Sequence, residues 1–561
     1  MPKSPTTRVA AAYQRIAEVD RPEVWITLRP HSELDAEARE LERRLADGAE
    51  LPLAGLLLAV KDNVDVAGLP TTAACPEFVY MPTETASAVR RLADAGALIL
   101  GKTNLDQFAT GLVGTRSPYG AVRHARHPEL VCGGSSSGSA VAVALGIADI
   151  AIGTDTAGSG RVPAAFHGIV GMKASLGIIP AHGVVPACAD YDAVTVFAGT
   201  LDLAVTAAAI MAGPDARDPR SRTWPADVPL AGTRKLAIPH DLSPLSTEYR
   251  AAFAETVAAL RNQGVQTTEV DITPLLDAAR LLYDGAIVAE RYAAVGEFID
   301  KGAKGLDKTV AGIISAAKHL DAHTFATDLD TLANARAQTK ALLADYDGLL
   351  LPTTTEHPTI AAVQADPLTI NRRLGTYTNF CNLLDLAAVA VPGATTTAGL
   401  PFGVMVVVPT FADQIAVDLA ALVTGTTAPL LVKTGVPLAV FGAHLRGQPL
   451  HWQLEELGAR FAGEITTSDA YRLTALDTTP PKPGLVRHGD GLGAPIAGEL
   501  FLLSPGALGR FLADLPAPMA LTSIELSDGT TVVGFACTYD AAVAATDITR
   551  YGSWPRYLRE H

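Results

Sequence analysis

The sequence predicts an α/β protein with a second, smaller β-rich domain of α+β type at its C-terminal end. Three observations predict it. Helix and strand patterns alternate from about residue 50 to about residue 425, and several strands are uniformly apolar, as a buried sheet requires. After the connector "TGTTAPLLVKTG" (424–435), short strands with turn residues take over. Finally, 561 residues exceed what one simple core organises. The expected domains are residues 1–431 and 437–561.

Each element has a local reason. "MPKSPTTRVAAAYQRIAEVD" is an amphipathic helix pattern without the apolar centre or cleavage site of a secretion signal. "LPLAGLLLAV" (51–60) reads as a buried strand running into Lys61. "SAVRRLADAGA" (87–97) is helical, with Val89, Leu92 and Ala93 on one face, and "LILG" (98–101) is a short buried strand. A helix over 137–146 follows serines that can cap it. "ADIAIGTDT" is a strand that breaks at Gly158, and 275–345 is mostly helical. In "SIELSDGTTVVGF" (523–535), Asp528-Gly529 marks a hairpin.

Composition narrows the function. Apolar residues make up 48% and charged residues 18%, and the net charge is −15. That charge argues against nucleic acid or an anionic membrane as the main partner, and leaves room for a local cationic pocket. No apolar run reaches the roughly 20 residues that span a bilayer. Cys75, Cys132, Cys188, Cys381 and Cys537 are scattered and show no CxxC spacing, which suits a reducing compartment and no structural zinc. A cytoplasmic protein is expected.

Three motif readings compete. "GALILGKT" (96–103) matches a P-loop letter for letter. A P-loop needs a flexible loop between strand and helix, whereas Ala-Leu-Ile-Leu is a buried strand preceded by a helix. "GSSSG" (134–138) matches a nucleophile elbow with Ser136 as nucleophile, but "RHARHPELVCG" is a poor strand to lead into it. The third reading joins two glycine-rich turns to a lysine. Lys61 ends a buried strand, where lysine is unusual, although it could also be a surface lysine paired with Asp62 or Asp65. A desolvated lysine can be a neutral base, and an intervening serine hydroxyl, donor and acceptor at once, can carry a proton to it. In the second turn, "GTDTAGSG" (153–160), the backbone N–H groups of Thr156, Ala157 and Gly158 can converge beside Ser159 as an oxyanion hole. Arg161 can brace the loop through carbonyls or Asp155.

"GGSSSGSAVAVALG" followed by "GTDTAGSGRVPAAFHGIVGMK" resembles the amidase signature family over about residues 50–410. The resemblance implies a central mixed sheet flanked by helices, a Ser–Ser–Lys triad with one serine on a cis peptide bond, and no cofactor or metal. It makes Ser159 the nucleophile. The family's bridging serine lies 24 residues earlier, which selects Ser135, and "VKD" supplies Lys61. The chain departs from the family at His167, where asparagine is favoured, and at Ala174-Ser175.

"GVVPACADYDAVTVFA", "LGTYTNFCNLLDLAAVAVP" and "LYDGAIVAERYAAV" further resemble the allophanate hydrolases within that family. In these a tyrosine and an arginine eight residues apart hold the substrate carboxylate, which implies Tyr283 and Arg291. On one helix such a pair shares a face within about 80°. Arginine grips a carboxylate with a two-pronged fork. Read from the residues alone, Arg291 could equally pair with Glu290 or an aspartate. "VFGAHLRGQPLHWQLEELGARF" and "DITRYGSWPRYL" resemble the C-terminal domain of the same enzymes, a fold similar to γ-glutamyl cyclotransferases. There His444, with Glu499 second, is the candidate for assisting decarboxylation of N-carboxycarbamate. The resemblance implies allophanate as substrate, a homodimer, and functional coupling to a urea carboxylase. A general small-amide amidase with a structural C-terminal domain is the alternative.

Overall fold

The computed structural model describes residues 4–561. These form two compact units. One is built from the chain up to Thr223 and from Arg234–Leu431, the other from Trp224–Thr233 and Val432–His561. The expected first domain therefore loses residues 224–233, and hydrogen bonds show why. Leu230 N and Ala231 N each donate to Gly458 O at 3.1 Å, and Asp227 accepts from Ser504 Oγ (2.6 Å) and Arg510 Nη1 (2.9 Å).

The first unit holds an eleven-stranded mixed sheet. Its strands are β1 (Trp25–Leu28), β2 (Leu57–Lys61), β3 (Leu98–Thr103), β4 (Ile150–Asp155), β5 (Val170–Lys173), β6 (Ala193–Ala198), β7 (Lys235–Pro239), β8 (Gln266–Val270), β9 (Gly348–Pro352), β10 (Ala387–Thr395) and β11 (Pro401–Val408). Their order is β1-β3-β2-β4-β6-β5-β10-β11-β9-β7-β8. Every residue of β2, β3, β4, β5, β6 and β9 is buried, which is why these strands read as largely apolar runs, with Lys61, Lys102, Asp155 and Lys173 at or near the carboxyl ends of β2 to β5.

Two details place the site. β2 runs parallel to β4 with Val60 opposite Ile152, so both strands release their carboxyl ends, at Lys61 and Asp155, on one edge of the sheet. Ligand sites in parallel α/β sheets form at such edges. The helix Ser137–Ala144 then packs its serines onto the strands: Ser139 Oγ donates to Ile152 O (2.8 Å) and Ser136 Oγ to Thr154 O (3.0 Å).

The local expectations shift in two places. β2 begins at Leu57, because residues 51–56 form turns in which Gly55 adopts φ +73° and Leu53 N donates to Ala95 O. The helix Ser137–Ala144 is also shorter than 137–146, and no serine side chain caps it, since Ser136 spends its hydroxyl on Thr154. "GALILGKT" is strand, as its apolar centre requires. Lys102 lies in β3 with Nζ 3.3 Å from Asp62 Oδ1, both side chains fully buried.

The second unit carries a five-stranded sheet, β13-β16-β12-β18-β17, and a three-stranded one, β15-β14-β19. These strands are β12 (Val436–Val440), β13 (Arg460–Thr466), β14 (Tyr471–Leu476), β15 (Lys482–Arg487), β16 (Ala497–Leu503), β17 (Met519–Glu525), β18 (Thr531–Cys537) and β19 (Thr546–Asp547). Leu438, Phe441, Leu473, Phe501, Leu503 and Trp554 belong to its core. The hairpin at Asp528-Gly529 joins β17 to β18, with Glu525 opposite Thr531. All five cysteines are free and buried. Among the described residues no helix is long and apolar enough to cross a membrane.

Leu350, fully buried in β9 opposite Val406 of β11, tests the core. Leu350→Ala should lower unfolding stability by about 2–5 kcal/mol in urea titration. A loss below about 0.5 kcal/mol would contradict the packing described.

Candidate active site

Lys61 ends β2 with no exposed surface. Its Nζ is 2.8 Å from Ser135 Oγ and 2.7 Å from Thr154 Oγ1. Burial lowers the lysine's pKa to about 7, reinforced by Arg291 and opposed by Asp106, Asp192 and Asp155. A lysine so lowered can lose its proton near neutral pH, beside a serine hydroxyl. The peptide bond between Gly134 and Ser135 is cis.

Ser135 is anchored from below. Asp106 N donates to Ser135 O (3.1 Å). The Asp106 carboxylate accepts from Val113 N (3.2 Å), Gly114 N (3.0 Å) and Arg116 N (2.9 Å). Ser136, the elbow candidate, is bound to both Thr154 O and Thr154 N and faces the strand.

Ser159 lies in the turn after β4, 3% exposed, with Oγ 3.5 Å from Gly111 O. No hydrogen bond joins Ser135 to Ser159 among the described residues. The turn is held by Asp155, which accepts from Gly158 N and Gly160 N, each at 2.9 Å, and from Arg161 Nε (3.0 Å) and Nη2 (2.9 Å). Burial alone would raise the Asp155 pKa, but Arg161 and the turn amides hold it below its usual value. Arg161, also fully buried, donates onward to Thr378 O (3.2 Å) and Asn382 Oδ1 (3.1 Å). Gly158 sits at φ +127°, and a Cβ there would stand 2.4 Å from Thr378 Oγ1, so only glycine fits.

The expectation that the Gly158 N–H helps to form an oxyanion hole is corrected by the same contacts: that N–H points at Asp155 Oδ1. The amides of Thr156, Ala157 and Ser159 find no such partner among the described residues. They are the donors left over once Asp155 has taken alternate positions along the turn.

Tyr283 and Arg291 do meet, but not as residues of one helix. Tyr283 lies in turns after the helix Thr273–Arg280, and Arg291 is in the helix Ala289–Asp300. Asp284-Gly285 interrupts the helix between them, a breaker visible in the sequence. Arg291 Nη2 is 3.3 Å from Tyr283 Oη, and Nη1 is 2.8 Å from Thr110 Oγ1. Arg291 is 1% exposed, its Nε has no partner, and it forms no ion pair among the described residues. The pairing with Glu290 that the residues alone allowed is absent: the Glu290 carboxylate accepts from Asp190 N instead (3.0 Å).

A model of the amidase family matches residues 8–416. The chain belongs to the amidase family. A model of the allophanate hydrolase C-terminal domain matches residues 436–559. The solved structure of Kluyveromyces lactis allophanate hydrolase is similar at a TM-score of 0.90 and 38% identity, covering 100% of this chain and 97% of that one. Urea amidolyase of Saccharomyces cerevisiae is 41% identical over 97% of this chain, yet the match spans only 31% of the yeast protein. A glutamyl-tRNA(Gln) amidotransferase component from Deinococcus deserti is 32% identical over 70% of this chain and 87% of its own length.

As an amidase-family chain it carries polar partners that sequence reasoning missed. Thr154, Asp106 and Asp192 all bear on the site. Thr154 showed only as a hydroxyl near the end of the strand that leads into the second glycine-rich turn; the other two carry no motif. His167, a departure from the family pattern, stacks on His124 (centroids 4.4 Å apart) at the end of the helix Val162–His167, with Nδ1 2.8 Å from Pro163 O. Ser175 Oγ donates to Asp413 Oδ2 (2.7 Å).

In the second unit, His444 follows β12 and lines a cavity of about 460 Å³ together with Trp452, Lys482 and Asp514. Its Nε2 is 2.8 Å from Gln453 Oε1, and its ring stacks on Phe535. Burial lowers its pKa, against the hydrogen bond to Gln453. Glu499, in β16, accepts from Arg446 N and Arg446 Nε, both at 2.8 Å, and lines a different, open cavity.

The Asp155–Arg161 pair yields a direct test. Arg161→Met alone should cost about 3–5 kcal/mol of stability by stranding a buried carboxylate. Asp155→Leu added to it should recover part of that loss in urea titration. A double variant no more stable than Arg161→Met would overturn the pairing.

Proposed function

We propose that the chain hydrolyses allophanate, urea-1-carboxylate, at its terminal amide through Lys61, Ser135 and Ser159. The observation that carries this reading is the fully buried Lys61 amine, 2.8 Å from Ser135 Oγ, with its pKa lowered by burial to about 7. A neutral lysine accepts a proton; an ammonium cannot.

The substrate carboxylate sits on Arg291 and Tyr283. A buried guanidinium without an anionic partner is costly, and a carboxylate ligand offsets that cost. Ser159 Oγ turns from Gly111 O towards the substrate carbonyl and attacks it. Its proton passes to Ser135 as the Ser135 proton passes to Lys61. The amides of Thr156, Ala157 and Ser159 receive the developing oxyanion. The carbon–nitrogen bond then breaks, and ammonia leaves with the proton returned through Ser135. Water, activated by the same relay, cleaves the acyl–Ser159 ester and releases N-carboxycarbamate. We assign the decarboxylation of that product to the His444 cavity, where Lys482 supplies the nearby cation.

The resemblance to urea amidolyase, of which this chain spans about a third, supports coupling to a urea carboxylase that supplies allophanate. A homodimer is carried forward with it, and sedimentation tests it.

Three measurements follow. Activity should rise with pH through about 7 and then level off, because Lys61 must lose its proton to act. A rate falling over that range would exclude Lys61 as base. Ser159→Ala should lose at least about a thousandfold in kcat. Arg291→Met should raise KM about tenfold or more for malonamate while leaving malonamide unaffected. Equal damage to both substrates would remove the carboxylate role.

A further inference from the structure

The helix Ala289–Asp300 begins with two charged neighbours that work in different directions. Successive helical side chains point about 100° apart. Arg291 reaches into the site, and Glu290 reaches to the segment from Ala187 to Asp192, where its Oε2 accepts Asp190 N at 3.0 Å. That segment is gripped at its other end by the nucleophile turn. Thr156 Oγ1 donates to Asp192 Oδ1, and Asp192 also accepts from Ala187 N (2.8 Å) and Cys188 N (3.2 Å). Asn382 adds a third tie, its Nδ2 donating to Tyr191 O (2.8 Å) and to Asp155 O (2.7 Å).

One short segment therefore links the helix that carries Arg291 to the turn that carries Ser159. Its anchor on the helix side is an expensive one. Glu290 Oε1 is buried with no partner, and burial pushes the Glu290 carboxyl up to about 7, with Asp190 and Asp192 adding to the rise against the Asp190 amide and Arg220. The residue itself is partly buried and its Oε2 meets Asp190 N at the surface, but a buried carboxylate oxygen without a partner calls for a reason.

We propose that Glu290 is a positioning residue, which through Asp190 and Asp192 couples the seating of a carboxylate on Arg291 to the placement of Thr156 and the oxyanion amides. The proposal rests on the carboxylate role assigned to Arg291. Its consequence is that the substrate carboxylate accelerates the acyl step, in addition to tightening binding. Binding energy from a remote group raises kcat only when something rigid delivers it to the reacting centre. The Glu290–Asp190 bond and the Asp192–Thr156 bond are that connection.

The readout is the ratio of kcat for malonamate to kcat for malonamide, measured on the full chain. Wild type should favour malonamate. Glu290→Leu, which removes the acceptor of Asp190 N, should cut that ratio about tenfold while the ratio of KM values stays within twofold. Glu290→Gln retains an acceptor oxygen and should restore most of the kcat ratio. A purely structural role would lower both kcat values together and leave their ratio unmoved, and that outcome overturns the proposal. A change confined to KM overturns it as well, by making Glu290 part of the clamp. Equal kcat for the two substrates in wild type overturns this proposal while leaving the carboxylate on Arg291; only if the wild-type KM also fails to favour malonamate does the Arg291 assignment fail.

Discussion

The buried pair of Asp155 and Arg161 is the constraint on which the first unit's chemistry depends. Neither group has any exposed surface, and each satisfies the other while ordering backbone around it. Asp155 collects the amides of Gly158 and Gly160, which bends the chain after β4 into a turn that a free chain would not hold. Arg161 passes the same order on to Thr378 and Asn382. An ion pair so deep is a poor source of net stability, because desolvation consumes most of the attraction. What it supplies is geometry: one arrangement of the turn leaves every buried lone pair and N–H of the pair matched.

The electrostatics of Lys61 follow from where that pair sits. Three carboxylates, Asp106, Asp192 and Asp155, pull its pKa up, while burial and Arg291 pull it down. Burial wins, and the lysine is left close to balance at neutral pH. Each carboxylate is held by backbone amides or by a hydroxyl, so its charge is largely spent locally. Asp106 faces three amides, Asp192 two amides and Thr156, and Asp155 the turn and Arg161. A base, rather than another salt bridge, results from committing every nearby anion elsewhere.

Much of this was legible in the residues. The alternation of apolar runs with helix patterns foretold a buried sheet, and "SIELSDGTTVVGF" its hairpin, because local chemistry decides such elements. Lys61 stood out as a charge ending an apolar strand. Choosing Ser135 and Ser159 among five closely spaced serines needed the family resemblance. Asp106 and Asp192 were invisible, since a single carboxylate in a loop carries no pattern until the fold brings its partners to it, and Glu290 stood out only as a possible partner for Arg291. Tyr283 and Arg291 were paired for a partly wrong reason: the helix expected to align them is broken at Asp284-Gly285, and tertiary packing unites them instead. The capping role given to the serines before the helix failed because the strand's Thr154 competes for the Ser136 hydroxyl.

The excursion of Trp224–Thr233 into the second unit changes what kind of object that unit is. The chain crosses between units after Thr223, after Thr233 and after Leu431, so the C-terminal portion is not a bead on a single string. A protease cutting near 431 would leave ten residues of the second unit covalently attached to the first, and a gene fragment starting at 432 would lack them. Release of 432–561 after such a nick must still break the hydrogen bonds that Leu230 and Ala231 make to Gly458 and that Asp227 accepts from Ser504 and Arg510, all of them non-covalent. The second unit is therefore discontinuous in sequence, and the connector at 431 is one of three crossings between the units.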